Sequence, residues 1–201
     1  MHAYRPRLLI MVKEPRPGRV KTRLGAGIGM GPAARWFRRE SGALIHRLSA
    51  DPRWETILAV APDSAALESR VWPAHIRRWP QGGGDLGDRM RRVFRAMPPG
   101  PVLIIGADIP GISRRDIAAG FRALGSADAV FGPADDGGYW LIGLSRTRRA
   151  APRSLFEGVR WSTEHALADT ERSLAGARIA HLRTLRDIDT AADLALIERA
   201  R

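Results

Sequence analysis

The stretch from Arg7 to Leu24, RLLIMVKEPRPGRVKTRL, constrains the fold more than any other. Leu8 to Val12 is an apolar run too short for a helix and bounded by charge and proline, which suits a strand buried on both faces of a parallel sheet. Lying so near the start of the chain, that strand is expected at the centre of the sheet. Directly after it come Lys13, Arg16, Arg19, Lys21 and Arg23, interrupted by Pro15, Pro17 and Gly18. The backbone must therefore leave the strand as an irregular cationic loop, a form suited to phosphate.

The two lysines of this loop stand out against the rest of the chain. Of 33 basic residues, two are lysine, Lys13 and Lys21, and the remaining 31 are arginine. An ammonium is a compact charge that can follow a phosphate as it moves, whereas a guanidinium is a rigid planar fork. The competing reading is chance placement on a solvated loop.

At 201 residues and 44% hydrophobic, the chain has the size of one well-buried α/β domain spanning residues 1–201. It has no cysteine, so disulfides and thiolate metal sites are excluded, and no apolar run approaches the roughly 20 residues that span a bilayer. The first residues, MHAYRPRLLIMV, lack the long apolar core and small-residue cleavage site of a signal peptide, so a cytoplasmic location without membrane partners is expected. The net charge of +12 raises nucleic acid as a ligand. Yet the arginines are spread along the whole sequence and no nucleic-acid-binding motif accompanies them, so no specific nucleic acid partner is expected.

Further along, GAGIGMG (Gly25 to Gly31) does not match a dinucleotide fingerprint, because Met30 stands where the third glycine belongs. Pro32 to Leu48 reads as a helix covering the sheet. Thr56 to Ala61 reads as a second strand, Ser64 to Val71 as a helix and His75 to Trp79 as a third strand. Gln81-Gly82-Gly83-Gly84-Asp85 then offers a backbone able to lie against a flat ligand, and Gln81, the sole glutamine, could read an amide edge. The alternative is a surface loop whose Asp85 caps the next helix.

Pro101 to Ala107 is the cleanest buried strand and ends at Asp108-Ile109-Pro110-Gly111. A carboxylate at the tip of a central strand lies where open α/β sheets bind ligands, and its hard oxygens suit magnesium or manganese. Ala127 to Pro133 and Tyr139 to Leu144 read as strands joined by Ala134-Asp135-Asp136-Gly137-Gly138, which is also ordinary hairpin chemistry. In Trp161-Ser162-Thr163 either hydroxyl could cap the following helix. Arg178 to Leu185 reads as the last strand, after which Asp187 and Asp189, two residues apart in extended backbone, could share one cation. Asp189 or Thr190 could instead cap the final helix.

Five motifs in fixed order, KEPRPGRVKTRL, QGGGDLGDRM, GADIPG, GPADDGGYWLIG and LRDIDTAADL, together resemble the radical-SAM/selenodomain-associated transferase family. That group lies within the nucleotide-diphospho-sugar transferase fold and is related to phospholactate and molybdenum-cofactor guanylyltransferases. The resemblance implies a GT-A-like three-layer α/β/α sandwich with a mostly parallel sheet, acting as a transferase on a nucleoside triphosphate or nucleotide sugar with Mg2+ or Mn2+. It gives phosphate-holding and catalytic roles to Lys13, Lys21 and Arg23, with Gly18 and Thr22 in the same loop. Asp108 joins that catalytic set and is expected to bind metal with Asp187 and Asp189. Gln81, Gly82, Gly83, Gly84 and Asp85 are assigned to the nucleotide, and Asp135, Asp136, Gly137, Gly138, Trp161, Ser162 and Thr163 to a small-molecule acceptor. A homodimer is compatible with this reading. Glycosyltransferases of this fold usually carry DxD after the central strand, whereas Pro110 stands at the second acidic place here. The leading expectation is therefore nucleotidyl transfer to a phosphorylated or phosphonate acceptor with release of pyrophosphate. The alternatives are glycosyl transfer and a non-catalytic nucleotide- or RNA-binding module.

Overall fold

A computed structural model describes residues 5–147 and 151–199. Strand β1 (Arg7–Lys13) forms because alternate residues can be buried on opposite faces. Leu8, Ile10 and Val12 enter one apolar cluster and Leu9 enters the other, joined by the partly buried Met11. It pairs in parallel with β2 (Glu55–Ala61) on one side and with β4 (Val102–Gly106) on the other. With edge strand β3 (Arg77–Pro80), β5 (Ala129–Pro133), β6 (Tyr139–Leu144) and β7 (Ile179–His181), the sheet order is β3-β2-β1-β4-β6-β5-β7. β6 alone runs antiparallel to its neighbours.

One face is covered by α1 (Thr22–Ile28), α2 (Met30–Ser49), α3 (Asp63–Glu68), α5 (Arg114–Ala123) and α7 (Ala191–Arg199), which meet the cluster of Leu8, Leu58 and Leu103. The other is covered by α4 (Leu86–Ala96), the segment from Ala151 to Trp161 and α6 (Ala166–Arg172), which meet Leu9, Ile104 and Phe131. The three-layer arrangement expected from the sequence is what forms.

Several boundaries differ from the sequence reading. The cationic loop ends at Lys21, because Thr22 and Arg23 already belong to α1, and Gly29 (φ 90°) separates that short helix from α2. The expected strand from Arg178 shrinks to three residues, followed by one isolated pairing of Leu185 with Ala134. That pairing still carries the chain to the same sheet edge, so Asp187 arrives beside the β5–β6 hairpin. Asp85 caps α4 in a reciprocal box with Asp88, and the final helix is capped by Thr190 with Asp193 rather than by Asp189.

The hairpin at Ala134–Gly138 docks onto the segment before α6, and Leu167 N–H donates to the Gly137 carbonyl at 3.0 Å. Gly137 has φ 81°, and a Cβ there would lie 2.3 Å from the Glu164 carbonyl oxygen. Gly137→Ala should therefore cost about 1–3 kcal/mol, lowering the melting temperature by roughly 3–10 °C. Gly158→Ala, at φ 69° with nothing within 4 Å of the new Cβ, should cost less. Thermal unfolding of both variants checks this, and equal losses would sink the close-approach argument.

Candidate active site

The C-terminal ends of β1, β2 and β4 are in register, with Lys13 opposite Ala61 and Met11 opposite Gly106, so the loops that leave them open on one edge. A cleft of about 730 Å³ lies there, lined by Lys13, Arg19, Lys21, Thr22, Arg23, Gln81, Gly84, Asp85, Arg89, Asp108 and Asp189 among others. It continues into a second compartment of about 230 Å³ beside the β5–β6 hairpin, lined by Asp108, Asp136, Gly138, Tyr139, Trp140, Trp161, Ser162, Thr163 and Asp187 among others. Leu86, Gly106, Asp108 and Ser162 border both. The first compartment is basic; the second is acidic and aromatic.

Lys21 stands where the segments meet. Its backbone is left-handed (φ 46°, ψ 48°), a conformation unfavourable for a side chain with a Cβ, and its side chain is 5% exposed. Its ammonium donates to Asp108 Oδ2 at 2.9 Å and Asp189 Oδ1 at 2.7 Å. Burial alone would lower its pKa, but the two carboxylates outweigh that and raise it above the ordinary value. Arg23 Nη1 reaches the other Asp189 oxygen at 3.4 Å. Lys13, by contrast, is exposed.

Asp108 is fixed from behind. Arg47 donates to the Pro110 and Ile112 carbonyls at 3.2 and 2.9 Å, and Arg183 to the Gly111 carbonyl at 3.1 Å, while Ile109 and Ile112 are buried. Gly106 leaves room for the carboxylate, since a Cβ there would lie 2.9 Å from Asp108 Oδ1. Ser162 is the second non-glycine residue of the cleft with positive φ, at 61°. It caps no helix; Thr163 instead donates to the Arg160 carbonyl at 2.8 Å and accepts from His165 N–H at 3.3 Å.

Asp108 meets Asp187 and Asp189 at this edge although it is distant from both in sequence. Asp187 accepts no hydrogen bond from the described residues, and burial, reinforced by Asp189, Asp136 and Asp108 against the opposing charge of Lys21, pushes its carboxyl up to about 6. Among the described residues, no group of three acidic, histidine or cysteine side chains is disposed as a ready metal cage. The donor set nonetheless fits a hard divalent cation. Magnesium needs only one or two carboxylates, the rest coming from water and phosphate, and here Asp187 stands beside two carboxylates that share the Lys21 ammonium.

Other expected residues take supporting positions. Gln81 is buried and its amide nitrogen donates to the Val12 and Ala59 carbonyls at 3.1 and 2.7 Å, tying β1 to β2 at the cleft floor. Gly82 and Gly83 are held by Asp63 and Arg92 and lie outside the lining, as do Gly18, Asp135 and Gly137. Arg89 and Leu86 were not singled out from the sequence, and Arg19, named there within the cationic loop, was given no role of its own. Arg89 lay within QGGGDLGDRM as a usable signal, and Leu86, an apolar residue in a polar turn, is 47% exposed between the compartments.

This order of strands, with loops gathered at one edge, defines a nucleotide-diphospho-sugar transferase-type, GT-A-like domain. A protein from Desulfovibrio desulfuricans G20, provisionally named a nucleotide-diphospho-sugar transferase, is similar over 97% of this chain and 87% of its own at 28% identity, with a TM-score of 0.83. The 4-diphosphocytidyl-2C-methyl-D-erythritol synthase of Anaerococcus prevotii DSM 20548 shares the fold at 12% identity (TM-score 0.66, 98% and 96% of the two chains). CMP:2-keto-3-deoxy-manno-octonic acid synthetase complexed with CTP does so at 12% identity (TM-score 0.57, 98% and 100%). No curated protein gives a significant sequence match. The chain belongs to the family described as uncharacterized protein conserved in bacteria (DUF2064), whose model matches residues 44–163.

Asp187 carries a pH consequence. Its pKa is raised from 3.8 to about 6, so between those values the folded protein holds a proton that the unfolded chain releases, and stability falls as pH rises through that window. In metal-free protein, Asp187→Asn should raise the melting temperature at pH 8 and barely change it at pH 4. For a half-buried group the gain is about 1 kcal/mol, roughly 2–4 °C. Thermal melts at the two pH values check this; equal gains at both would refute the assignment.

Proposed function

We propose that the protein is a nucleotidyltransferase that moves a nucleoside monophosphate from a nucleoside triphosphate to a small acceptor and releases pyrophosphate. The observation that carries this reading is Lys21, buried and backbone-strained between Asp108 and Asp189 where a basic compartment meets an acidic, aromatic one. Strain of this kind persists where surrounding structure over-determines it, and it concentrates at functional sites. The similarity to transferase-type structures supports the same broad class.

In this reading the triphosphate lies in the basic compartment, with Lys13, Arg19, Arg23 and Arg89 meeting its charge and Gly84 presenting backbone to it. The acceptor lies in the second compartment, and Asp108 and Ser162 border both substrates. An acceptor oxygen attacks the α-phosphorus, its proton passes to solvent or to a neighbouring carboxylate, and the bond to the β-phosphate oxygen breaks. Asp108, with Asp187 or Asp189, would hold Mg2+ or Mn2+, which when bound neutralises phosphate charge. Lys21 leaves part of its carboxylate pairing to meet the phosphates, and the protein contributes mainly positioning and fixed charge.

Glycosyl transfer is the second reading, favoured by the provisional name of the Desulfovibrio protein. Incubation with each nucleoside triphosphate or nucleotide sugar, a divalent cation and a pool of acceptors separates the two. Acceptor-dependent pyrophosphate release supports the first, and nucleoside diphosphate release the second. Lys13→Arg should lower turnover by about tenfold, since a fork replaces a compact charge, and Asp108→Asn by about a hundredfold or more. Wild-type turnover in both variants would remove these residues from the chemistry.

A further inference from the structure

Carboxylates line both compartments, and what separates the two is the placement of cations. Among the described residues the acceptor lining contains Asp108, Asp136 and Asp187 and three aromatic rings, Tyr139, Trp140 and Trp161, but no lysine, arginine or histidine. Every lining cation sits on the donor side: Lys13, Arg19, Lys21, Arg23 and Arg89. The neighbouring Arg186 is turned to Asp135 at 3.2 Å. A phosphate or phosphonate placed here would face carboxylates, while Lys21, the cation whose charge reaches Asp187, is already paired with Asp108 and Asp189. Even with a divalent cation held by Asp187, Asp136 would remain as like charge.

The hydrogen-bonding inventory points the same way. Among the described residues Asp187 accepts nothing, and Asp136 uses one oxygen for the Gly138 N–H at 2.9 Å while the other has no donor. The exposed Asp136 and the half-buried Asp187 thus present oxygens suited to hydroxyl or amine donors, set beside the half-buried Trp161 ring. At about 230 Å³ the compartment falls below the roughly 300–1,000 Å³ typical of drug-sized ligands, so it fits one small unit. Resting on the transferase reading, we propose that the acceptor is an uncharged polyhydroxylated compound, sugar-like in having both hydroxyls and an apolar face, with a hydroxyl oxygen as nucleophile. This departs from the phosphorylated acceptor expected from the sequence.

The test starts with calorimetric binding of a non-hydrolysable nucleoside triphosphate analogue with Mg2+. If none binds, the transferase reading fails and this proposal with it. On the nucleotide-loaded protein, matched pairs are then titrated: hexoses, pentitols and glycerol against their phosphate esters. At least one neutral member should bind about tenfold or more tightly than its ester. Asp136→Lys should reverse that ranking. Asp136→Asn, which keeps an oxygen for Gly138 N–H, should weaken the neutral ligand several-fold and, by removing like charge, strengthen the ester, so that the gap between them narrows. Tighter binding of the phosphate esters to the wild type, or no neutral ligand bound up to tens of millimolar while nucleotide binds, would overturn the proposal and leave the transferase reading standing.

Discussion

An ammonium buried between two carboxylates ties this fold together at its upper edge. Lys21 and Asp189 are 168 residues apart, and Asp108 comes from a third segment, so one contact closes the loop after β1, the turn after β4 and the entry to α7. A charge so withdrawn from water is costly unless paired, and removing one partner strands it. The local structure follows from that constraint. Lys21 takes the left-handed conformation at the start of α1, and α1 lies so close to α7 that a Cβ on Gly27 would come within 2.9 Å of the Ala191 methyl.

The preference for arginine has a structural counterpart. Arg47 grips the turn after Asp108, Arg78 donates to the Ser69 and Trp72 carbonyls, Arg91 to Leu155, and Arg92 to Gln81 and Gly83. Others make carboxylate pairs, including Arg53 with Asp51, Arg160 with Asp169, and Arg183 with Asp116, whose carboxyl is held down at about 2. A fork with five donors can bind several backbone carbonyls at once, so much of the large positive charge is spent on loop architecture. Lysine, a poorer multidentate clamp, is confined to the loop that lines the cleft.

Charge is also sorted across the cleft. Cations collect on the side built from the β1 loop, α1 and α4, while the hairpin, the Trp161–Thr163 turn and the segment before α7 supply carboxylates and rings. In the proposed reaction a site divided this way would set an anion and a neutral or donor-rich molecule on opposite sides of Asp108 and Ser162, with electrostatics orienting the two substrates before any specific contact forms.

Much of this was legible in the sequence because the signals are local. Leu8 to Val12 read as a central strand, Pro101 to Ala107 as another, and the Asp85 cap and the hairpin glycines followed from side-chain chemistry within a few residues. The sequence also named Asp108, Asp187 and Asp189 as a metal-binding set and Lys21 as a phosphate-holding residue of the loop beside it, since parallel strands deliver their C-terminal loops to one edge. What it could not contain was how they partner. Thr190, not Asp189, caps α7, which frees Asp189 for Lys21. Gln81 places its amide nitrogen on the strand ends, and among the described residues no cation lines the compartment beside the β5–β6 hairpin. Those outcomes depend on which side chains meet across more than a hundred residues of chain. Periodicity and capping act within a turn or two of backbone, whereas pairing of distant charges and the shape between packed loops are decided when the layers close.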